Sequence, residues 1–404
     1  MQSTIQVPYH RPSIGEEEIN EVVSTLKSGW LTTGPRTAQF EQEFGAYTGV
    51  PHALAVNSCT SGLHLALAAL NIGPGMEVIT TPLTFCATVN TIIHTGATPV
   101  LADVGPDGNI DPASIASRIT DRTRAIVPVH FAGLPCDMEA IWFLARRHGL
   151  DVIEDCAHAA GSLYKGRHAG AAHALTGEHS AASVFSFYAV KNMTTGEGGM
   201  VVTHDEELAS RMKVLSLHGI SKNAWNRYSD RGHWGYEVLE SGFKYNMSDI
   251  QSSIGIHQLR KLEGFIAARA RFAELYNNLL ADVEALEPPA DKADCRHAWH
   301  LYTLKLNLER LGIGRDEFIV QLRERGVGTS VHFIPIPLHP FFAPYANLRQ
   351  NRVPNALELY PRLISLPLFP AMTEAQVEYV ANAVKQIAAK ARKKNWAAMA
   401  AAGD

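Results

Sequence analysis

The sequence predicts an α/β fold in which a mostly parallel central sheet is flanked by helices and followed by a smaller C-terminal α+β lobe. Short β-branched runs alternate with helical patterns as far as about residue 205, and strands separated by helices imply parallel crossovers. A helical stretch over residues 250–283 then leads into a second group of strand and helix patterns. The 404 residues also exceed what one core usually supports. We therefore predict a large domain over residues 1–255, and a connector helix with a small domain over residues 256–404.

The first predicted element is a helix that begins near Ser13 and ends at Gly29. Ser13 and Glu16 form an S-x-x-E pair, which is typical of a capping box. Glycine often ends a helix because it accepts a left-handed backbone. Apolar residues recur at helical spacing and predict one buried face, made by Ile19, Val22, Val23 and Leu26.

Four strands are predicted next, and polar residues lie at or after their ends. Their sequences are EVITTP (77–82), TPVLADV (98–104), AIVPVH (125–130) and DVIEDC (151–156). A helical pattern over residues 140–149 separates the last two. Ligands of parallel sheets bind beyond the carboxyl ends of the strands, so the residues at those ends are the candidates for a site.

The C-terminal lobe is predicted to contain two strands and two helices. The strands cover residues 298–307 and 327–333, and a helix over residues 315–325 lies between them. The last helix has an apolar face made by Val377, Val380, Val384 and Ile387. It runs into the basic sequence KARKKNW, which we interpret as a solvated helix end because cations suit the helix dipole there.

Composition and charge favour a small-molecule ligand. Lys and Arg total 36 against 40 Asp and Glu, and the formal net charge of −4 gives no reason to expect nucleic acid or an anionic membrane. The five cysteines form no C-x-x-C pair, which is typical of a reducing compartment. The N-terminus lacks an apolar signal core, and no run is long enough to cross a bilayer. We therefore expect a cytoplasmic protein.

One lysine follows an apolar, strand-like run and enters a glycine-rich turn. It is Lys191, in the segment SVFSFYAVKNMTTGEGG over residues 183–199. A lysine amine at the end of a buried strand can lose its proton and form an imine with an aldehyde, which is how pyridoxal phosphate (PLP) is held. Taken alone, Lys191 also fits the commoner case of a surface lysine beside a loop, so its partners decide between the two interpretations.

An acidic partner for the pyridine nitrogen of PLP is available in the strand DVIEDC. Asp155 stands at the end of this strand, where its carboxylate could keep the nitrogen protonated. His158 could bond the ring hydroxyl or pack over the ring. The alternative is a helix cap with a neighbouring structural histidine. Asp155, Cys156 and His158 have no second ligand cluster, so we expect no metal site.

Donors for a phosphate are predicted where NSCTSGLHLALAAL (57–70) turns into a helix. The free amides around Thr60 and Ser61 can bind a phosphate dianion, although an N-cap without a ligand is the alternative. Ser186 could bring a hydroxyl to the same phosphate. Phe85 follows a strand and could stack on the PLP ring or belong to the core. The chain order of helix-start donors, aromatic residue, Asp and Lys is typical of a fold-type-I PLP-dependent enzyme.

Longer motifs carry a resemblance that covers nearly the whole chain. They are SGWLTTGP (28–35), IEDCAHAAGSLYKGRHAG (153–170), FSFYAVKNMTTGEGG (185–199), GFKYNMSDIQSSIG (242–255), HAWHLY (297–302) and SLPLFPAMTE (365–374). With these motifs the sequence resembles the DegT/StrS-type PLP-dependent nucleotide-sugar aminotransferases. It most resembles their UDP-4-amino-4-deoxy-L-arabinose aminotransferase branch, through SGWLTTGP, YKGRHAG, NAWNRYS (223–229), AWHLY and VGTSVHF (327–333).

The resemblance implies a role for each candidate residue. Lys191 forms the imine with PLP, Asp155 meets the ring nitrogen and His158 contacts the ring. The phosphate is held by Thr60, Ser61 and Ser186. The resemblance also implies a homodimer in which the GFKYNMSD segment reaches into the partner's site. Many relatives have Asn and Arg where Lys244 and Asn246 stand here, so which of these two contacts the neighbouring phosphate stays open. Cys59 and the longer connection over residues 171–183 also depart from the family pattern, and that connection could reshape the sugar entrance.

The predicted reaction moves an amino group from glutamate to a keto sugar nucleotide, with a UDP-4-keto sugar as the first candidate. Lys191 acts as imine former and proton shuttle, and 2-oxoglutarate leaves. Candidate sugar or diphosphate contacts are Thr32, Thr33, His332 and His339, and structural roles are the alternative for both histidines, as they are for Trp299 and His300. Two other functions are the alternatives: a deoxysugar dehydratase of the same fold, in which histidine replaces this lysine, and a non-catalytic PLP- or sugar-binding sensor. The presence of Lys191 favours the aminotransferase.

Overall fold

A computed structural model describes residues 6–221, 236–345, 348 and 352–393; the NAWNRYS stretch lies outside these residues. The described helices are α1 (Glu16–Ser28), α2 (Pro35–Thr48), α3 (Cys59–Ala69), α4 (Cys86–His94), α5 (Pro112–Ala116), α6 (Met138–His148), α7 (Glu206–Leu215), α8 (Asp249–Leu280), α9 (Arg315–Glu324), α10 (Pro354–Leu359) and α11 (Glu374–Lys390). None of these described helices combines the length and apolarity that a bilayer span requires.

The described strands form one large sheet and two small ones. They are β1 (His52–Val56), β2 (Glu77–Thr80), β3 (Thr98–Leu101), β4 (Thr123–Val127), β5 (Asp151–Cys156), β6 (Leu163–Tyr164), β7 (Arg167–His168), β8 (Ala182–Ser186), β9 (Gly199–Thr203), β10 (Leu286–Glu287), β11 (Cys295–Arg296), β12 (Tyr302–Leu306) and β13 (Leu363–Leu366). The large sheet has the order β1-β9-β8-β5-β4-β2-β3. Its strands β8, β5, β4, β2 and β3 are parallel, and β9 is antiparallel to both neighbours. The predicted mostly parallel sheet is confirmed.

Two strands of the large sheet, β2 and β4, end close to a proline. The strand β5 has the predicted bounds, whereas β2 and β4 end before the predicted residues. Pro82 and Pro128 come just after them, and proline has no N–H with which to continue a ladder. Both β2 and β8 are buried along their whole length, as expected for a parallel sheet covered on both faces.

The helix α1 departs from the prediction at its start and on its apolar face. It begins after Gly15 rather than Ser13, and the Gly15 N–H donates to the Glu18 carboxylate at 2.9 Å. Gly29 ends the helix with a φ of 75°, as predicted. The predicted buried face is largely open in the single chain, because 40–51% of the surface is exposed for Ile19, Val23 and Leu26.

The C-terminal lobe follows α8, a helix of 32 residues that runs unbroken through the predicted boundary at residue 255. The strands β10, β12 and β13 form a small sheet, and α9 and α11 pack with it around an apolar core. The predicted strand over residues 327–333 was wrong, since only Val327 and Ser330 form isolated bridges, with Val7 and Ser365. Gly328 packs directly on the Tyr9 backbone, where an added Cβ would lie 2.5 Å from the Tyr9 nitrogen.

Candidate active site

A cavity of about 590 Å³ lies at the carboxyl ends of β5 and β8, facing the C-terminal lobe. It brings together most of the residues predicted from the sequence, namely Thr60, Phe85, Asp155, His158, Ser186, Lys191 and His332. These side chains come from separate parts of the chain, and parallel strands ending at one edge of the sheet bring them together. The predicted strand-end site is therefore a real cavity, with residues of both lobes around it.

Lys191 lies in a turn just beyond β8 rather than on the strand itself. Its backbone N–H donates to the Tyr188 carbonyl at 2.9 Å. Burial lowers the pKa of the Lys191 amine to about 8, and the nearby Cys59 and Asp155 oppose this effect. More of the amine is therefore neutral near pH 7 than in an exposed lysine, and the neutral amine is the nucleophilic form.

Asp155 is the penultimate residue of β5 and is 4% exposed. Its Oδ2 accepts a hydrogen bond from Thr88 Oγ1 at 2.8 Å, and its Oδ1 accepts one from the Ala157 N–H at 3.1 Å. Because Thr88 donates to Asp155, it accepts from Thr84, whose hydroxyl oxygen lies 2.9 Å away. Burial raises the pKa of the Asp155 carboxyl, and the two donors oppose that rise by favouring the charged form.

His158 is buried among other rings. Its ring centroid lies 4.3 Å from that of His300 and 5.7 Å from that of Phe333. Burial, and then the charge of Lys191, lower the pKa of His158 well below its usual value, so its ring is neutral. The Nδ1 atom of His158 is buried and has no hydrogen-bond partner in the described part of the chain. Such an atom beside a cavity is expected where a ligand supplies the partner.

The start of α3 forms another part of the cavity lining. Ser58 is the N-cap, and its Oγ accepts from the Ser61 N–H at 3.1 Å. By helix geometry, the N–H groups of Cys59 and Thr60 have no intrahelical acceptor. Gly199 lies so close that an added Cβ would be 2.7 Å from the Cys59 nitrogen. A side chain on residue 199 would collide with the Cys59 N–H, so glycine is needed for β9 to lie this close to the start of α3.

Other predicted residues lie outside this cavity in the single chain. Ser61 turns away, and its hydroxyl donates to Asn57 at 2.6 Å. Thr33 and Asn246 line a second cavity of about 170 Å³, where the Asn246 amide donates to the Thr33 hydroxyl at 2.7 Å. Thr32 and His339 line neither cavity. Lys244 is exposed. Their predicted roles therefore depend on a second chain or on a bound substrate.

Several lining residues were not predicted. Tyr9 stacks on His332 with 5.9 Å between ring centroids, and Tyr9 and Phe333 both line the cavity. No local pattern marks Tyr9, because its position depends on docking of the N-terminal segment on the C-terminal lobe. Thr88 could have been found, since it lies one helical turn after Phe85 and faces the same side of α4.

A buried group outside the cavity was not predicted either. Ligand-type atoms of His130, Glu154 and Cys156 lie within 4.8 Å of one another. The Nδ1 atom of His130 accepts from the Cys136 N–H at 3.0 Å, so the ring proton sits on Nε2, which lies 2.9 Å from the Glu154 carboxylate. These hydrogen bonds give the three residues a structural role, because they link the end of β5 to the loop after β4.

The cavity fits PLP. Lys191 supplies an amine with a lowered pKa, and Asp155 supplies an oriented carboxylate. The Nδ1 atom of His158 lacks a partner in the described residues. The start of α3 and the hydroxyls of Thr60 and Ser186 suit a phosphate. A buried amine, a carboxylate and an anion site around one space are what this cofactor requires.

Comparisons with known proteins agree with this chemistry. The model of the DegT/DnrJ/EryC1/StrS aminotransferase family matches residues 12–385. The spore coat polysaccharide biosynthesis protein SpsC of Bacillus subtilis is 50% identical over 383 residues, which cover 94% of this chain and 97% of SpsC. The structure of Spr1654 from Streptococcus pneumoniae in its PLP form superposes with a TM-score of 0.89 at 30% identity, covering 96% of this chain and 100% of that one. Helicobacter pylori PseC, an aminotransferase involved in the biosynthesis of pseudoaminic acid, has a TM-score of 0.87 at 32% identity and the same coverage.

Proposed function

The chain belongs to the DegT/DnrJ/EryC1/StrS aminotransferase family and is a PLP-dependent sugar aminotransferase of fold type I; on this premise we propose its amino donor, its acceptor and the roles of its residues. Glutamate donates the amino group, and a keto sugar nucleotide accepts it, with UDP-4-keto sugars as the first class to test. The observation that carries the proposal is that Lys191 and Asp155 line one cavity beside the start of α3.

Lys191 is the proposed attachment point of PLP and the proton carrier. When bound, PLP supplies an electron-accepting ring that stabilises negative charge on the carbon next to the transferred nitrogen. The Nζ atom of Lys191 takes the proton from the α-carbon of glutamate in the first half-reaction and delivers one to the sugar carbon in the second. The lowered pKa of about 8 supports this role, because a neutral amine can accept a proton.

The other residues of the cavity are assigned by the groups they present. Asp155, oriented by Thr88 and Ala157, is the carboxylate that would meet the ring nitrogen of bound PLP and favour its protonated form. The Nδ1 atom of His158 has no hydrogen-bond partner among the described residues, and it is the group proposed to bond the ring hydroxyl. The phosphate is assigned to the start of α3 and to Thr60 and Ser186. Ser61, the third residue predicted for this role, has its N–H bonded to Ser58 and its hydroxyl bonded to Asn57. Phe85, which is 61% exposed at the start of α4, is proposed to stack on the ring.

The sugar nucleotide is proposed to bind along the aromatic part of the cavity. His332 lines it, and its Nδ1 lies 2.8 Å from the Ser365 hydroxyl, which leaves Nε2 for a substrate. Burial lowers the pKa of His332 to about 4, so it is a neutral hydrogen-bonding group. His339 is a further candidate contact. The motifs shared with the UDP-4-amino-4-deoxy-L-arabinose aminotransferase branch favour a 4-keto acceptor. The likeness to SpsC and PseC is the reason to test other keto sugars as well.

We also propose a homodimer in which each chain completes the partner's site. The exposed side chains of α1 lie near two more exposed apolar residues, Trp30 and Leu31, and a second chain would remove this surface from water. The Oδ1 atom of Asn246 is buried without a partner in the described residues. In the dimer, Thr32, Thr33 and Asn246 or Lys244 would reach the partner's cofactor and substrate. We also propose that the chain has two domains that meet near residue 255, with α8 as the connector.

The test follows the visible absorbance of the PLP-loaded protein as glutamate is added. An aminotransferase loses this absorbance and releases 2-oxoglutarate, whereas a non-catalytic sensor leaves it unchanged. A panel of 4-keto and 3-keto sugar nucleotides then identifies the acceptor by the mass of the amino product. A dehydratase would release a deoxysugar without added nitrogen. No response to any amino donor would exclude the proposed reaction.

A further inference from the structure

Asn192, the residue after Lys191, joins the lysine loop to the C-terminal lobe. It is 4% exposed. Its amide nitrogen donates to the Ala298 carbonyl at 2.7 Å and to the Ala160 carbonyl at 3.4 Å, and its Oδ1 lies 3.0 Å from Nδ1 of His300. Because the two carbonyls can only accept, they set the orientation of the amide. The Oδ1 atom therefore faces His300, and Nδ1 of His300 carries the ring proton.

The backbone that carries His300 is held by a buried arginine. Arg269 of α8 has no exposed surface. One nitrogen of its guanidinium, Nη1, donates to the carbonyls of Trp299 at 3.2 Å, His300 at 3.3 Å and Leu368 at 2.7 Å. Trp299 has a φ of 47°, which is rare for a bulky residue. A strained backbone persists only where its surroundings hold it, and Arg269 supplies part of that support.

We propose that Asn192 and His300 are positioning residues for Lys191, in which the Nδ1–H of His300 donates to Asn192 and ties the C-terminal lobe to the loop that carries the lysine. This inference rests on the proposed role of Lys191. The turn before the lysine is held by the backbone bond from Lys191 to Tyr188, and the chain directly after it is held by the Asn192 side chain. Further on, Thr194 and Thr195 both bond the Phe187 carbonyl. The residue next to the reacting amine is thereby bonded to the segment that precedes β12.

The neutral state of His300 supports the arrangement. Burial lowers the pKa of His300 well below its usual value, and His158, Lys191 and Arg269 add to this effect. A neutral ring with its proton on Nδ1 is a donor to Asn192. No change in charge is therefore needed for the contact to form.

The test measures capture of PLP by the apo-protein, together with the tautomer of His300. The variants are Asn192→Ala, His300→Leu, the double variant, and the pair His300→Asn and His300→Gln. An asparagine amide places an N–H near the position of Nδ1, whereas a glutamine amide corresponds to Nε2. Misplacement of a reacting group by about 1 Å costs about 10²-fold in rate. We expect that loss in capture rate for Asn192→Ala, His300→Leu and His300→Gln, no further loss in the double variant, and recovery to within about tenfold in His300→Asn.

Controls separate positioning from general stability. Tyr302 lies two residues after His300, and Tyr302→Phe removes a hydroxyl that donates to Asn277 of α8. Tyr276→Phe removes a hydrogen bond from α8 to the Pro367 carbonyl. Both should lower the unfolding temperature without slowing capture more than about threefold. Nitrogen NMR of the apo-protein should show the proton of His300 on Nδ1, and Asn192→Ala should abolish this preference.

Additive losses in the double variant, equal losses in His300→Asn and His300→Gln, or a ring proton on Nε2 would overturn the inference. Failure of this inference can be distinguished from failure of the proposed function, because PLP capture and amino transfer are measured separately. If the unchanged protein captures PLP and transfers no amino group, the proposed reaction fails, while the capture rates and the tautomer still decide the role of Asn192 and His300.

Discussion

Two sets of residues line the cavity, and they differ in how they are held. The strand-end set, Asp155, His158, Ser186 and Lys191, is largely buried and comes from β5, β8 and the turns after them. The aromatic rim, defined as Phe85, Tyr188, His332 and Phe333, comes from loops and a helix start. Phe85 is 61% exposed and Tyr188 is 46% exposed. A rigid set suits the chemistry common to all substrates, and an open, apolar set suits recognition of one substrate.

This contrast indicates which residues should govern the chemistry and which should govern substrate recognition. Hydrogen bonds from Thr88 and Ala157 fix Asp155 before any ligand arrives, so changes in the strand-end set should impair both half-reactions. In the rim, the ring centroid of Phe333 lies 4.9 Å from that of His332 and 6.4 Å from that of Phe85. Changes there should act on one substrate at a time.

The largest expected effect comes from removing the lysine amine. Lys191→Ala should lower amino transfer by about 10⁴-fold or more, because it removes both the attachment point and the proton carrier. Product formation is measured by mass with glutamate and the preferred keto sugar nucleotide. Lys390→Ala, at the exposed end of α11, is the matched control and should turn over like the unchanged protein. Retention of a hundredth of the normal rate in Lys191→Ala would exclude this role.

The next largest effect is expected at Asp155. Asp155→Ala should lower both half-reactions by about 10³-fold, since a preorganised charge in a buried site is worth that much. Glu154→Gln is an informative control, because Glu154 is the neighbouring residue and its carboxylate bonds His130 and Ser183 instead of lining the cavity. It should lower the unfolding temperature more than the rate. Equal rate losses in both variants would mean that Asp155 acts through the fold.

Most of the strand-end set could be predicted from the sequence because its signals are local. The run before Asp155 has the β-branched character of a buried strand, and the structure ends β5 one residue later, at Cys156. The sheet topology brings such ends to one edge, so linear order along the chain was enough to place Asp155 and Lys191 in the same site. Helix spacing likewise placed α6 and α9 close to their observed bounds, and the apolar residues predicted for the last helix lie within α11.

The rim and its surroundings could not be predicted because they depend on contacts between distant segments. Tyr9 lines the cavity in a segment that pairs with the C-terminal lobe, through the bridge between Val7 and Val327. The apolar spacing of α1 correctly predicted a helix but placed its face in the core, where the structure leaves it exposed. A periodic pattern shows that a face is apolar without showing what covers it. For the same reason, the sequence pattern does not show what the residues assigned to the partner's site contact.

A smaller effect concerns the pH dependence of cofactor capture. The pKa of Lys191 is lowered to about 8, and only the neutral amine attacks an aldehyde, so capture should accelerate as pH rises through that value. The rate constant for apo-protein should increase about tenfold between pH 7 and pH 9 and then level off, whereas an unperturbed lysine would still be rising at pH 10. Stopped-flow absorbance measures this rate. A profile that shows no plateau below pH 10 would contradict the lowered pKa.

The smallest predicted effect tests the rim itself. Replacing His332 by asparagine keeps a group near Nδ1 for the Ser365 hydroxyl, which lies 2.8 Å from that atom, and removes Nε2 from the cavity. Loss of one hydrogen bond to a neutral partner is worth about 1 kcal/mol, or about fivefold. We expect KM for the keto sugar nucleotide to rise by that factor while the half-reaction with glutamate changes by less than about twofold. The glutamate half-reaction is the internal control. If the rates of both half-reactions fell by the same factor, His332 would belong with the strand-end set. The division between common chemistry and substrate recognition would then not coincide with the division between the strand-end set and the aromatic rim.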